Sequence, residues 1–142
     1  MKITVCGSVT FADKISEIFN KLKEMGHEPP AHKNLFSVAD GTAEEIGMYD
    51  GEHHEVKIKY DYIKAWHDII VSGDAILVCN FDKNGIKDYI GGNTLMEMGF
   101  AHVNNKKIFL LNPIPAINYV DEIMAMQPTI LNGDLSKIPK AE

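Results

Sequence analysis

Arginine is absent from the sequence: all 14 basic residues are lysines. Without a guanidinium fork, bidentate recognition of phosphate is excluded, and an anion must be held by backbone amides, hydroxyls or lysine point charges. The net charge of -6 leaves no basic surface that could neutralise a run of phosphates. A nucleic acid polymer is therefore not an expected partner, whereas free mononucleotides remain compatible.

Cysteine is scarce as well, with two residues in the chain. Cys6 and Cys79 both lie in apolar, strand-like runs. This is typical of buried thiols in a reducing compartment rather than of a disulfide framework. We expect no redox or metal-binding role for either thiol.

Long hydrophobic runs are missing too. No apolar stretch approaches the ~20 residues of a membrane span. The strand-like start, residues 1–6, meets Gly7 too early for the apolar segment of a signal peptide. We therefore expect a cytoplasmic protein without a membrane partner.

What the sequence does contain is an alternation of strand-like and helical patterns over one domain, residues 1–142. Residues 27–30 are a possible strand, which two prolines would confine to an edge or end early. The other strand patterns are 3–6, 75–79, 108–111 and 129–131. The helical patterns are 15–25, 56–72, 93–104 and 119–126.

This rhythm predicts an α/β fold with a doubly wound, parallel, five-stranded sheet, flavodoxin-like (Rossmann-like) in the order 2-1-3-4-5. Such sheets bind ligands beyond the carboxyl ends of the strands, where the strand order reverses. The loops after Cys6 and Cys79 should therefore form the two walls of a cleft. Residues 31–55 lack a sustained period, and we interpret them as a lid or binding loop.

Glu97 is the carboxylate that this topology brings to the cleft, because it opens the helix after the central strand. In a first helical turn it would feel the positive end of the helix dipole, which favours the ionised form expected of a nucleophile. Alternatively, Thr94 and Glu97 form a capping box, in which the carboxylate only returns a hydrogen bond to the backbone. Most residues between 95 and 101 are apolar, which predicts a helix that is buried nearly all round. Because a carboxylate on a buried helix is unfavourable without a specific role, this favours the catalytic interpretation.

Three stretches of the sequence carry a family resemblance: the turn Cys6-Gly7-Ser8, residues 68–75 (DIIVSGDA) and residues 92–101 (GNTLMEMGFA). Within a pattern that covers roughly residues 1–112, they resemble the nucleoside 2-deoxyribosyltransferase family and its relatives that hydrolyse deoxynucleoside 5′-monophosphates. The third stretch is similar to the family signature Gly-x-x-x-x-Glu-x-Gly-aromatic-Ala.

By this resemblance, Glu97 attacks the anomeric carbon of a (deoxy)nucleoside or its 5′-monophosphate and forms a covalent glycosyl-enzyme, and Asp68 assists at the base or sugar. An oxocarbenium-like transition state does need a nearby carboxylate. For Asp68 the alternative is an ordinary solvated side chain. The resemblance also implies a reaction without a cofactor and a homodimer or larger homo-oligomer in which a neighbouring subunit borders the site.

The sequence departs from the family pattern at Gly91, where relatives place an acid six residues before the nucleophile. The nearest acids here are Asp82 and Asp88, in a loop lengthened by residues 83–87. The identity of the group that protonates the departing base is therefore open.

The remaining candidates would contact substrate from the cleft loops. Residues 7–10 present amides and hydroxyls to a sugar or phosphate, or form an ordinary strand-to-helix turn. Phe11 stacks on a base or covers the edge of the core. Asp74 follows Ser72-Gly73, where turn chemistry is the usual role of an aspartate. The full candidate substrate-binding set is Gly7, Ser8, Thr10, Phe11, Asp74, Asp88, Gly92, Asn93 and Asn112.

A metal site is not expected. His53 and His54 have acidic neighbours, but adjacent residues on a helix point about 100° apart and do not readily share one ion. A solvated, charged helix start is the better interpretation of this segment.

Two other classes of function stay open beside glycosyl chemistry. One is a nucleotide-binding or sensing module that has lost turnover, with the glycine turns holding the ligand. The other is a flavodoxin relative that binds flavin or a phosphoryl group, which a bound yellow cofactor would reveal.

Overall fold

The computed structural model describes residues 1–30 and 61–140. Strands and helices alternate along these residues, as the sequence patterns predict. The strands are β1 (Ile3–Cys6), β2 (Ala75–Val78), β3 (Lys107–Leu110) and β4 (Thr129–Ile130). The helices are α1 (Ala12–Glu24), α2 (Tyr62–Ser72), α3 (Gly92–Val103) and α4 (Val120–Ala125), with short 3-10 turns at Val9–Phe11 and Leu135–Lys137.

The strands form one parallel sheet in the order β1-β2-β3-β4. The predicted α/β class with a parallel sheet is confirmed. Residues 27–30, the possible further strand, are not a strand. Glu28 donates one backbone hydrogen bond to the Met1 carbonyl at 3.0 Å, and the two prolines that follow have no N–H to continue a ladder. The sheet of the described chain therefore has four strands.

Helices cover both faces of the sheet, because strand side chains alternate between two apolar clusters. Ile3 and Val5 of β1 point to the cluster that contains the buried face of α1. Cys6 points to the other cluster, which contains residues of α2, α3 and α4. The end of β1 therefore faces α3, the helix that carries Glu97.

Helix α1 forms where the sequence predicts it and ends as expected. Its buried residues recur at helical spacing and include Ile15, Phe19 and Leu22. Gly26 follows with a φ of +88°, and the His27 N–H donates to the Leu22 carbonyl at 3.0 Å. This is the Schellman arrangement, in which a glycine in the left-handed region closes the last turn.

The predicted lid, residues 31–55, and the histidines at 53 and 54 lie outside the described residues. In the two ranges that the structure describes, no helix combines the length and the apolar character needed to span a bilayer.

Candidate active site

A cavity of about 240 Å³ opens at the carboxyl ends of β1 and β2. The loop after β1 and the loop after β2 both contribute to its lining, as the sequence predicts for the two walls. Helices α2 and α3 complete it. The cavity has room for a small ligand and lies at the edge where parallel α/β sheets bind ligands.

Glu97 lines this cavity and is 7% exposed. The prediction that it lies in the first helical turn is wrong, because α3 begins at Gly92 and its first turn contains no acid. The capping-box alternative is wrong for the same reason: the cap position is Gly91, and no side chain caps the helix. Glu97 is therefore a buried carboxylate that faces a cavity, without a capping role.

A buried thiol, Cys6, lies against Glu97 on the sheet side. Burial raises the pKa of the Cys6 thiol well above its usual value, and the nearby Glu97 charge and a hydrogen bond with that carboxylate raise this pKa further. Burial also raises the pKa of Cys79, which lines the cavity, to about 12. Both thiols remain protonated at neutral pH, so nucleophilic thiol chemistry is disfavoured.

The turn after β1 is fixed by steric contact and by a cap. A Cβ atom added to Gly7 would lie 2.8 Å from Ile15 Cδ1 and 3.2 Å from the Cys79 carbonyl oxygen, so there is no room for a side chain. Ser8 caps the following 3-10 turn by accepting a hydrogen bond from the Thr10 N–H at 3.3 Å. Thr10 itself is exposed and does not line the cavity.

The start of α3 forms another wall. Gly91, Gly92 and Asn93 line the cavity, and a Cβ atom added to Gly92 would meet nothing within 4 Å. The Tyr89 ring lies over Gly91, with its Cε1 atom 3.3 Å from the position of an added Cβ. Because these glycines have no side chains, backbone amides at the start of the helix are accessible to a ligand.

The structure brings some of the predicted residues together and separates others. The cavity lining includes Gly7, Ser8, Phe11, Gly92, Asn93 and Glu97. Phe11 also packs against the core cluster beneath, and its stacking on a base stays a prediction. The residues Thr10, Asp68, Asp74, Asp88 and Asn112 do not line the cavity.

Asp68 and Asp74 each have a partner away from the cavity. The Asp68 side chain is 64% exposed and lies 3.1 Å from Nδ1 of the adjacent His67. The Asp74 carboxylate accepts the Lys2 N–H at 2.8 Å and lies at the amino end of β2, opposite the end that carries the cavity. Asp74 therefore braces the start of the sheet, which agrees with its interpretation as turn chemistry.

Asp88 and Asn112 belong to a hydrogen-bonded group that we call the Asn80 clamp, made of Asn80, Asp88, Asn112 and Pro113. Asn80 Nδ2 donates to the carbonyls of Asp88, Asn112 and Pro113 at 3.3, 3.1 and 2.9 Å. Asn80 Oδ1 accepts the Asn112 N–H at 2.9 Å, and Asn112 Nδ2 donates to the Asn80 carbonyl at 2.8 Å. The clamp joins the loops after β2 and β3.

Several lining residues were not predicted as site residues, among them Tyr62, Trp66, Tyr89 and Phe100. Trp66 and Phe100 lie on apolar helical stripes, a pattern that predicts core residues. A cavity lined by aromatic residues and a core produce the same periodic pattern, so the sequence carries no signal that separates them. Tyr89 precedes the glycine pair, and that proximity was the available clue.

Within residues 1–30 and 61–140, no group of three or more His, Cys, Asp or Glu side chains is arranged to hold a metal ion. A scan against protein-family models, a search of curated proteins and a search of solved structures each found no match to this chain.

Proposed function

We propose that this protein cleaves or transfers the N-glycosidic bond of a (deoxy)nucleoside or nucleoside 5′-monophosphate, with Glu97 as the nucleophile. The observation that carries the proposal is the position of Glu97: it is a buried carboxylate in a cavity at the carboxyl edge of a parallel sheet. The resemblance of residues 92–101 to the deoxyribosyltransferase signature supports the same residue independently.

The cavity suits this chemistry in three respects. Its volume of about 240 Å³ accommodates a small molecule rather than a polymer. The aromatic side chains of Trp66 and Phe100 provide faces against which a base can pack. Burial of Glu97 also strengthens the attraction between its carboxylate and the positive charge that develops on the sugar.

The proposed reaction has two steps. A Glu97 carboxylate oxygen forms a bond to the anomeric carbon while the carbon–nitrogen bond breaks, and the bonding pair leaves with the base, which takes a proton from water. Water or a second free base then attacks the same carbon and releases the carboxylate. Hydrolysis gives the free sugar or its 5-phosphate, and transfer gives a new nucleoside or its 5′-monophosphate.

The other expectations from the resemblance are part of the proposal. We propose a flavodoxin-like sheet, with which the four described strands are compatible, and a homodimer or larger assembly. We propose no cofactor, since attack by a carboxylate needs no electron carrier. Light scattering coupled to size-exclusion chromatography measures the state of assembly directly.

Chromatography of a panel of deoxynucleosides and their 5′-monophosphates, incubated with and without a second free base, tests the function. The wild-type protein should release base from at least one substrate, and Glu97→Gln should reduce the rate by a factor of about 10³ or more, as for loss of a nucleophile. His102→Gln is the control on the same helix, since His102 is exposed and does not line the cavity.

Two results would contradict the proposal. Equal rates for the wild type and Glu97→Gln would remove Glu97 from the mechanism. Ligand-induced thermal stabilisation without any base released would instead favour the binding or sensing module on the same fold.

A further inference from the structure

A second charged group reaches the edge of the cavity. The Lys83 ammonium donates a hydrogen bond to Ser8 Oγ at 2.9 Å, and Ser8 lines the cavity. Lys83 comes from the loop after β2 and Ser8 from the turn after β1, so this bond joins the two loops that form the cleft. The bond is partly buried, which limits screening by water and salt.

The loop that carries Lys83 is a tight hairpin. Lys83 and Ile86 exchange both backbone hydrogen bonds, at 3.1 and 2.9 Å. Between them, Asn84 and Gly85 have φ values of +54° and +73°. Positive φ at both central residues, with the sequence Asn-Gly, is the signature of a type I′ turn. The extra residues 83–87 therefore build an ordered element that presents Lys83 at the cavity.

A second lysine, Lys14, lies near this end of the cavity. The Lys14 ammonium lies 5.7 Å from the centroid of the Phe11 ring and 5.0 Å from that of Phe81, and Phe11 lines the cavity. Glu97 is the only charged side chain among the described residues of the lining. A ligand with its own anionic group would be repelled by Glu97 unless that group lay beside a cation, and Lys83 provides one.

We propose that Lys83 and Ser8 form a subsite for the 5′-phosphate of the ligand, so that the site prefers a nucleoside 5′-monophosphate to the corresponding nucleoside. The proposal rests on the proposed function for the identity of sugar and base, but the phosphate contact is measurable by binding alone. An ammonium and a hydroxyl supply a point charge and a short hydrogen bond, which is the kind of recognition available to a chain without arginine.

A purely structural role for the Lys83–Ser8 bond predicts a different behaviour. If the bond only joins the two loops, its loss affects nucleosides and monophosphates equally. If it is a phosphate subsite, its loss affects the monophosphate selectively. The ratio of kcat/KM for the monophosphate to kcat/KM for the nucleoside separates the two roles, because a general loosening of the cleft cancels in the ratio.

The experiment compares the wild type with Lys83→Met, Lys83→Arg and Lys87→Met on four deoxynucleosides and their 5′-monophosphates. Each kcat/KM is determined from base release, and each Kd from calorimetry. Lys87 is the matched control, since it lies in the same loop, carries the same charge and is exposed. Lys83→Met should lower the monophosphate-to-nucleoside ratio at least about tenfold, as expected for one charge-assisted hydrogen bond. Lys83→Arg should retain most of the ratio.

The outcomes are distinguishable. Equal ratios in the wild type and Lys83→Met, or equal losses in Lys83→Met and Lys87→Met, would overturn the subsite while leaving the proposed function intact. If no variant releases base, the proposed function fails and the Kd values decide: tighter binding of monophosphate that Lys83→Met abolishes supports the subsite. Equal Kd values for both ligand classes, or no binding of either, would overturn it.

Discussion

Two groups of polar residues lie at the carboxyl edge of the sheet and differ in what their polar atoms contact. In the Asn80 clamp, both ends of the buried Asn80 carboxamide are hydrogen-bonded to backbone atoms of the neighbouring loops. Around the cavity, Ser8 and Glu97 also have hydrogen-bond partners, but together with Asn93 they line the hollow. Position at the ligand-binding edge of an α/β sheet is therefore insufficient to identify a site residue.

The difference lies in how the hydrogen bonds are used. A buried polar group whose bonds go to the protein stabilises the fold and has little capacity left for a ligand. Asn112 and Asp88 were candidate substrate contacts because of their location. The Asn112 bonds instead join the loops after β2 and β3, and the Asp88 backbone bonds within the loop after β2.

The largest effect on stability should come from Asn80→Asp. The substitution places a carboxylate against the three carbonyl oxygens that now accept from Asn80 Nδ2. We expect a loss of about 3 kcal/mol or more in the free energy of unfolding, because a buried acceptor faces acceptors. Urea denaturation measures it. Asn84→Asp, in the exposed turn, is the control, and equal losses in both variants would refute the clamp.

Gly7→Ala should destabilise the protein by roughly 1–3 kcal/mol, since the added methyl group would overlap Ile15 Cδ1 and press on the Cys79 carbonyl. Gly92→Ala is the matched cavity variant, where the methyl group meets nothing within 4 Å. It should raise stability by about 0.4–1 kcal/mol by restricting the unfolded chain. The same urea measurement applies, and a stable Gly7→Ala would contradict the close packing of this turn.

The protonated Cys79 thiol should make stability depend on alkaline pH. Its pKa is raised to about 12 in the folded protein, so its contribution is complete below the ordinary thiol pKa and is lost as pH rises through the folded value. Between pH 9 and 12 the wild type should lose roughly 1.4 kcal/mol per pH unit more than Cys79→Ala. Parallel curves for the two proteins would show that the folded thiol titrates normally.

The smallest effect should come from Asp68→Asn. The side chain is 64% exposed, is paired with His67 and does not line the cavity, so base release should change less than about fivefold, well below the factor for a general acid or base. The role implied by the family resemblance predicts more. A loss of about 10²-fold, typical of a general acid or base, would show that Asp68 acts in the reaction despite its exposure.

Local patterns were sufficient for most of the fold. The continuous apolar run at 75–79 predicted the central strand, and the spacing of Ile15, Phe19 and Leu22 predicted α1. Both patterns depend only on residues that are close together in the sequence. The possible strand at 27–30 was not found, since the pattern there was short and the two prolines lack the N–H groups that a sheet requires.

Local patterns also predicted part of the candidate site. Glu97 and the glycine turns were identified from their positions after strands and from the signature at 92–101. The aromatic residues that line the cavity were not identified. The sequence pattern of an apolar helical stripe is the same whether the stripe packs against a core or lines a cavity. The exposure of Asp68 was also inaccessible to sequence, because it depends on the rotation of α2 against its neighbours.

By itself, the sequence determined the order of strands and helices, the placement of Glu97 after the central strand, and the reliance on lysine for any anion, since these follow from residue type and spacing. Only the tertiary structure decided which of the polar residues line the cavity. The contacts between Lys83 and Ser8, and between Asn80 and Asn112, join residues 75 and 32 positions apart. Contacts at that separation depend on how the strands align, which no local pattern encodes.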